Sequence, residues 1–218
     1  MTRISKPPRS FVFAHVVRAT VGAVISALFR TRVVGAENVP ATGGVVLAGN
    51  HISYADPVLL WCRSPRPVHF MAKSELWRIT WLGWALDQFW AFPINRGESD
   101  RAALTRASAY LKAGEPIGVF PEGTRNRDGA AEAQGGAAFL ALRNGVSVVP
   151  VGLANTERIR PEGTKSMRFP RVVISFGAPI DPSSIPPGGK KERVEAMTTE
   201  IMRRIGEQVS NAREVAGS

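Results

Sequence analysis

The chain has 218 residues, 44% of them hydrophobic, which is enough for one sizeable core and favours a single domain. A single cysteine, Cys62, excludes an internal disulfide and a cysteine-based zinc site, and it fits a reducing, cytosolic-side location. The net charge of +10 indicates an anionic partner: nucleic acid, an anionic membrane surface or a phosphorylated substrate.

Residues 1–35 form a basic, apolar N-terminal segment. No acidic residue precedes Glu37, and six cations flank or interrupt the apolar stretch 11–29: Arg3, Lys6, Arg9, Arg18, Arg30 and Arg32. A signal peptide is disfavoured because Arg30-Thr31-Arg32 stands where a small-residue cleavage site should follow. Arg18, in the middle of the stretch, disfavours a helix that spans a bilayer. The pattern favours an interfacial, membrane-associating helix, and the alternative is a core helix with one exposed arginine.

Residues 36–212 alternate between short apolar runs and helical patterns, which predicts one mixed α/β domain with a central sheet flanked by helices. The predicted strands are 45–48, 68–71, 90–94, 117–120, 147–151 and 172–176. The predicted helices are 57–62, 81–87, 101–113, 135–143 and 190–210. Residues 213–218 are expected to form a frayed tail.

The stretch GNHISYADP, at 49–57, follows the first predicted strand. On a continuous helix the side chains of His51 and Asp56 would point about 140° apart, so they meet only across a turn. Asp56-Pro57 is typical of a helix start, with aspartate as N-cap and proline at the first helical position. A carboxylate folded back onto one imidazole nitrogen would leave the other to take a proton from a hydroxyl. Alternatively, Asp56 only caps the helix and His51 is a satisfied buried histidine.

Cations also follow three other predicted strands. Lys73 follows the strand 68–71, and Arg96 lies in FPINRG at 92–97. The strand that ends at Phe120 leads into a loop with Glu122, Gly123, Thr124 and Arg125. Glycine lets the backbone approach an oxyanion, and arginine binds phosphate through two hydrogen bonds. Each feature alone is typical of a solvated turn, but together they indicate an anion pocket.

Two segments allow more than one interpretation. Trp77, Trp81 and Trp84 have the spacing of one helix face, which is typical either of core packing or of contact with acyl chains or membrane. The segment 158–171 contains a second copy of the PEGT found at 121–124, and this repeat is expected to be a chance one. The five cations of the segment nevertheless give it a charge that suits lipid headgroups.

Two classes of function are disfavoured. No second histidine or acidic cluster stands at ligand spacing from His51, so no metal site is expected. No RNP, KH, zinc-finger or helix-turn-helix signature accompanies the basic charge, so nucleic acid is not an expected partner.

The blocks NHISYAD, FPINRG, FPEGTR and VVPVGL, in this order over residues 49–153, resemble the glycerophospholipid acyltransferases, specifically the 1-acyl-glycerol-3-phosphate (lysophosphatidate) acyltransferases. The resemblance implies transfer of a fatty acyl group from acyl-CoA or acyl carrier protein to the free hydroxyl of lysophosphatidate, with no cofactor beyond that thioester. Glycerol 3-phosphate, another lysophospholipid or a glycolipid are alternative acceptors. A non-catalytic lipid-binding domain is the alternative from another class.

The same resemblance implies a role for each matched residue. His51 would be the general base, and Asp56 would orient it and stabilise its charge. Lys73, Arg96, Glu122, Gly123, Thr124 and Arg125 would bind the glycerol-phosphate part of the acceptor. The family has a mixed α/β domain that sits on a membrane through an N-terminal helical segment. The resemblance therefore implies a monotopic or peripheral protein at the cytoplasmic membrane face, with the anionic membrane surface as a partner.

Overall fold

The computed structural model describes residues 11–94, 100–123, 133–161, 163–164 and 166–217. Within this part of the chain, seven strands form one sheet: β1 Arg32–Val34, β2 Val45–Gly49, β3 His69–Lys73, β4 Ala91–Ile94, β5 Pro116–Val119, β6 Val148–Ala154 and β7 Val173–Phe176. The α-helices are α1 Phe11–Phe29, α2 Asp56–Arg63, α3 Thr80–Gln88, α4 Asp100–Lys112, α5 Gly136–Asn144 and α6 Lys190–Gly217.

The sheet is mixed, with strand order β1-β7-β6-β2-β5-β3-β4. Strands β6, β2, β5, β3 and β4 run parallel to one another, β7 runs antiparallel to β6, and β1 runs parallel to β7. This confirms the predicted α/β domain with a central sheet. The five parallel strands end at the same side of the sheet, here called the carboxyl edge, where open α/β sheets bind ligands.

Helices cover both faces of the sheet. Successive residues of β2 alternate between two cores: Val45 and Leu47 pack with α1 and α2, whereas Val46 and Ala48 pack with α4, α5 and α6. Because both faces are covered, the central strands are continuous apolar runs rather than alternating ones. The carboxyl edge lies between these two helical layers.

Helix α1 packs on the domain along one side only. Val17 and Val21 pack against the core of α2, and the Arg18 guanidinium donates hydrogen bonds to the carbonyl oxygens of Trp61 (2.8 Å) and Ser64. Arg18 therefore points toward the protein and caps carbonyls at the end of α2. Four large apolar side chains of α1 are exposed: Phe13 (49%), Val16 (56%), Val24 (53%) and Leu28 (46%). None of the described helices has the length and hydropathy needed to cross a membrane.

The tryptophans near α3 do not form a core face. Trp81 and Trp84 are 71% and 59% exposed, so the core-packing interpretation is wrong for these two. Trp77 lies in a 3-10 turn before α3, and its indole N–H donates to the Asp87 carboxylate at 2.9 Å. The helical spacing of these residues therefore does not correspond to one continuous helix face.

Two predictions about elements need correction. The three-residue strand β1 was not predicted, because a short run beside Arg32 has no clear pattern of alternation. The expected fraying of residues 213–218 is wrong for 213–217, since α6 continues to Gly217. Ala212 is fully buried, and Val215 and Ala216 pack with it against Val173. This small apolar contact with the sheet holds the last turns of the helix.

His69, at the start of β3, is a half-buried histidine whose lowered pKa keeps it neutral at pH 7. Its ring stacks on Tyr110 and Trp90, with centroids 4.0 and 5.3 Å away, and Nδ1 lies 3.2 Å from the carbonyl oxygen of Trp90. Burial lowers the pKa of His69 from 6.5 to about 4. Glu115, 3.9 Å from Nε2, is half-exposed and does not offset this effect.

We expect this histidine to make the fold sensitive to acid. Between pH 6.5 and about 4 the unfolded chain binds a proton that the folded chain does not, so stability falls as pH falls through this window. The shift corresponds to about 3 kcal/mol at most. Urea unfolding of wild type and His69→Phe at pH 7 and 4.5 measures it. The variant should lose less stability on acidification, and equal losses in both proteins would contradict the assignment.

Candidate active site

The turn after β2 brings His51 and Asp56 together. β2 ends at Gly49, and residues 50–55 lead into α2, which begins at Asp56. His51 Nδ1 lies 3.0 Å from Asp56 Oδ2, and the same oxygen accepts the backbone N–H groups of Ile52 (2.8 Å) and Ser53 (2.7 Å). A carboxylate acceptor keeps the Nδ1 proton in place and leaves Nε2 as the free acceptor of the neutral imidazole.

Asp56 does not act as the N-cap that its pairing with Pro57 predicts. Asp56 is the first helical residue, Ala55 precedes it with no side-chain cap, and the carboxylate reaches back over the turn. The side chain is completely buried, and its charge is offset by two backbone N–H donors and by the N-terminal end of α2. Oδ1 has no hydrogen-bond partner among the described residues.

Asn50 is a residue that the sequence argument did not single out. It is buried, its side-chain Nδ2 donates to the carbonyl oxygen of Leu153 at 3.1 Å, and its Oδ1 accepts the Leu153 N–H at 2.8 Å. The amide thus continues the hydrogen bonding between β2 and β6 by one residue while the main chain turns away. The sequence feature that could have indicated this role is a polar asparagine at the end of an apolar strand, directly before His51.

We expect Asn50→Ala to disturb both stability and turnover. The change leaves the buried N–H and C=O of Leu153 without partners, which costs about 2–3 kcal/mol of unfolding free energy. A misplaced His51 should lower kcat by about tenfold or more, with a smaller change in KM. Asn144→Ala is the matched control, because Asn144 also makes two side-chain hydrogen bonds, to Ser108 and Leu140. Comparable loss of kcat in both variants would assign Asn50 a purely structural role.

An aromatic wall supports the imidazole of His51. The ring stacks on Phe120, with centroids 4.5 Å apart and planes at 24°, and Phe70 lies beside Phe120 at 5.9 Å. Gly118 makes room for Phe70, since a Cβ there would lie 2.1 Å from the Phe70 ring. With Asp56 behind it and Phe120 against its face, the half-buried imidazole is restricted to one orientation.

The first residues of the loop after β5 lie beside His51. The Glu122 side chain is half-buried beside the backbone and imidazole of His51, and its Oε2 has no hydrogen-bond partner among the described residues. Burial raises the pKa of Glu122, and the nearby His51 partly opposes that rise. Gly123 has a left-handed backbone (φ 65°), and a Cβ there would lie 2.6 Å from the Gln134 side chain. The site therefore holds a second carboxyl group, which is half-buried, next to a backbone turn that favours glycine.

The other predicted binding residues are placed only in part. Lys73 is the last residue of β3, so its backbone lies at the carboxyl edge, while its side chain is outside the described residues. Arg96, Thr124 and Arg125 also lie outside the described residues. Along the chain, Arg96 follows β4, and Thr124 and Arg125 follow β5, two strands that end at the same edge as β2.

Comparison with known proteins identifies the family to which this arrangement belongs. An acyltransferase family model matches residues 30–154, which include the His51–Asp56 pair and the loop after β5 up to Arg125. The chain belongs to the acyltransferase family. The family resemblance of the four sequence blocks is thereby confirmed, and this protein is an acyltransferase.

Relatives of this acyltransferase extend over most of its length. A 1-acyl-sn-glycerol-3-phosphate acyltransferase of Bacillus subtilis is 29% identical over 177 residues, which are 81% of this chain and 86% of that protein. One of Borreliella burgdorferi is 37% identical over 57% of this chain and 51% of that protein. The 1-acyl-sn-glycerophosphate (LPA) acyltransferase PlsC from Thermotoga maritima superposes with a TM-score of 0.68 and 25% identity, covering 93% of this chain and 85% of that chain.

The state of the cysteine and the search for a metal site also bear on the chemistry of this acyltransferase. Cys62 is buried in α2, and burial raises the pKa of its thiol to about 11, so it is a neutral thiol at physiological pH. Within the described ranges, no group of three or more His, Cys, Asp and Glu residues could hold a metal ion.

Proposed function

We propose that this acyltransferase moves a fatty acyl group from an acyl thioester, acyl-CoA or acyl carrier protein, to the free hydroxyl of lysophosphatidate, and that the product is phosphatidate. The observation that carries the proposal is the 3.0 Å contact between His51 Nδ1 and the buried Asp56 carboxylate, which leaves Nε2 available to a substrate hydroxyl. The acceptor follows from the relatives, several of which are named for 1-acyl-sn-glycerol-3-phosphate.

The reaction is a single displacement in which both substrates are bound together. His51 Nε2 takes the proton of the acceptor hydroxyl while the hydroxyl oxygen attacks the thioester carbonyl carbon. The carbon–sulfur bond then breaks to complete the new ester, and the leaving thiolate takes the proton from the His51 imidazolium, which restores the neutral base. Asp56 stabilises the imidazolium that exists between these steps. The neutral, buried Cys62 supports a mechanism without an acyl-enzyme.

The acceptor phosphate binds at the carboxyl edge. Lys73, Arg96 and Arg125 follow three neighbouring strands and supply the positive charge, and arginine suits phosphate because of its two parallel donors. Thr124 adds a hydroxyl donor, and Gly123 lets the acceptor approach the backbone. Glu122 lies beside His51, so it stands between the acceptor subsite and the base.

The protein associates with a membrane through α1 and the neighbouring tryptophans, as a monotopic or peripheral protein at the cytoplasmic face. The exposed apolar side chains of α1 lie beside the side of the helix that packs on α2. His15 of α1 contacts Trp90, which follows α3, the helix that carries the exposed Trp81 and Trp84. Indoles beside an apolar helix face are typical of membrane–water interfaces.

The test is thiol release by purified, detergent-solubilised protein, with palmitoyl-CoA or oleoyl-CoA as donor and lysophosphatidate as acceptor. Release that requires the acceptor, with phosphatidate detected by mass spectrometry, is the expected result. Glycerol 3-phosphate, lysophosphatidylglycerol and a glycolipid are run in parallel, and faster turnover of one of them would reassign the acceptor. If the folded protein releases no thiol from either the CoA donors or a carrier-protein donor, with any of these acceptors, the proposed enzyme activity is wrong. The alternative of a lipid-binding domain then replaces it.

A further inference from the structure

The loop between β6 and β7, residues 155–172, is here called the basic loop. The loop carries four exposed or half-buried arginines: Arg158, Arg160, Arg168 and Arg171. Two more exposed arginines belong to a neighbouring part of the chain, Arg30 after α1 and Arg32 at the start of β1. Among the described residues of the loop the only acidic one is Glu157, whose carboxylate lies 3.8 Å from the Arg158 guanidinium. The surface is therefore strongly cationic where it faces solvent.

Two large apolar side chains stand among these arginines. Met167 is 64% exposed and Phe169 is 46% exposed, and they flank Arg168. Single exposed apolar residues are common on soluble surfaces and need no explanation. Apolar side chains interleaved with arginines are instead typical of segments that lie in a membrane interface, where the apolar parts enter the acyl boundary and the cations remain at the phosphates.

The basic loop contacts the C-terminal end of α1. The Phe169 ring lies 5.5 Å from the Phe29 ring, and the Arg30 guanidinium donates to the Phe169 carbonyl oxygen at 3.1 Å. Val24 and Leu28, both exposed, belong to this end of the helix, whereas His15, near its other end, contacts Trp90. Helix α1 thus contacts an aromatic residue near its N-terminal end and the basic loop at its C-terminal end.

The topology of the sheet places the basic loop at the carboxyl edge. β6 runs parallel to β2 and ends at Ala154, and β7 returns antiparallel from Val173, so the loop between them lies at the edge that also carries His51. The hydrogen bonds between Asn50 and Leu153 join the two strand ends directly. A surface bound by the loop would lie next to the site of acyl transfer.

We propose that the basic loop is a second membrane contact, in which its arginines bind the headgroups of anionic lipids and Met167 and Phe169 enter the interface. This inference deepens the proposed function, since it says which lipid chemistry holds the catalytic edge at the bilayer. The aromatic end of α1 supplies apolar contact, and the loop adds a charge-dependent contact at the other end. A phosphate-bearing acceptor in the same leaflet then lies beside His51.

Co-sedimentation of the full chain with vesicles tests the proposal. Vesicles of phosphatidylcholine alone are compared with vesicles that contain about 30% phosphatidylglycerol, which raises the negative surface potential. The loop variant is Arg160→Glu with Arg168→Glu, and a second variant is Met167→Ser with Phe169→Ser. The matched control, Lys112→Glu with Arg213→Glu, makes the same change of net charge at exposed positions on α4 and α6. Thermal unfolding of each variant checks that the fold is kept.

Wild type should bind the anionic vesicles more tightly than the neutral ones, and added salt should weaken that difference. The arginine variant should lose about tenfold or more in affinity for anionic vesicles, and the control less than about threefold. The serine variant should lose affinity for both vesicle types. Equal losses in the loop variant and the control, or equal wild-type binding to both vesicle types, would overturn the proposal.

Activity in detergent mixed micelles separates this proposal from the proposed function. The arginine variant should keep wild-type thiol release in micelles, where no anionic bilayer is needed, and lose it on vesicles. If wild type has no acyltransferase activity in micelles, the proposed function fails, while the vesicle-binding comparison still decides the role of the basic loop. A loop variant that is inactive in micelles as well would show that these arginines act in the reaction and not at the membrane.

Discussion

Replacement of His51 by alanine is expected to lower kcat for acceptor-dependent thiol release by about 10²–10⁴-fold, with little change in KM. The loss follows from removal of the base that accepts the hydroxyl proton, whereas the residues that bind the acceptor are untouched. The fold should survive because the His51 side chain is still 17% exposed at the carboxyl edge and only lines the site. Initial rates at saturating donor, with the acceptor varied, measure the two constants separately.

His15→Ala is the matched control for His51→Ala. His15 also contacts an aromatic ring, that of Trp90, but it lies in α1, away from the carboxyl edge. Its replacement should leave kcat in detergent micelles within about twofold of wild type. A His51→Ala protein that is folded and retains wild-type kcat would remove the histidine from the mechanism and would favour the lipid-binding alternative.

Asp56→Asn is expected to have the second largest effect, a fall in kcat of about 10²-fold or more. The amide oxygen of asparagine can occupy the place of Oδ2 and accept the same donors from His51, Ile52 and Ser53. The amide nitrogen then takes the place of Oδ1, which has no partner among the described residues. The turn is thus preserved, but the negative charge that stabilises the imidazolium is lost. Unfolding should cost about 1–3 kcal/mol less because the buried N–H₂ group is unsatisfied.

A double-mutant cycle distinguishes this role of Asp56 from a purely structural one. If Asp56 acts through His51, the double variant His51→Ala with Asp56→Asn should be no slower than His51→Ala alone. Additive losses would instead mean that Asp56 supports the site independently of the imidazole. Asp87→Asn serves as a control carboxylate, because its bond to the Trp77 indole lies outside the site.

Parts of the site followed from the order of residues alone. The order is an apolar strand, then a histidine, a short turn and Asp-Pro at a helix start. This order allows the backbone between strand and helix few conformations, and one of these folds the aspartate carboxylate onto the imidazole. The detail differed, since Asp56 accepts the turn's own N–H groups and does not cap α2. The sequence could not show this, because the Asp56 carboxylate has two sets of N–H donors nearby, those of the turn and those of the first turn of α2. The path of the turn decides which set it accepts.

Other parts required residues distant in sequence. Asn50 bonds Leu153, and His51 stacks on Phe120, across separations that no local pattern describes. The strand order β6-β2-β5 makes these residues neighbours, and that order is set by packing of helices on both faces of the sheet. The role of Arg18 could not be predicted for the same reason, because the carbonyl oxygens that it binds lie at the end of α2, more than 40 residues along the chain.

By itself, the sequence determined the alternation of strands and helices, the basic and apolar character of the N-terminal segment, and the histidine–aspartate pair with its family motifs. These are local properties, set by hydrophobic periodicity, turn residues and charge. Only the tertiary structure decided that Trp81 and Trp84 face outward, that α6 stays helical to Gly217, and that the basic loop meets α1 beside the carboxyl edge. The physical reason is that burial is a property of the assembled surfaces, so the same apolar residue packs or stays exposed according to which elements the sheet brings beside it.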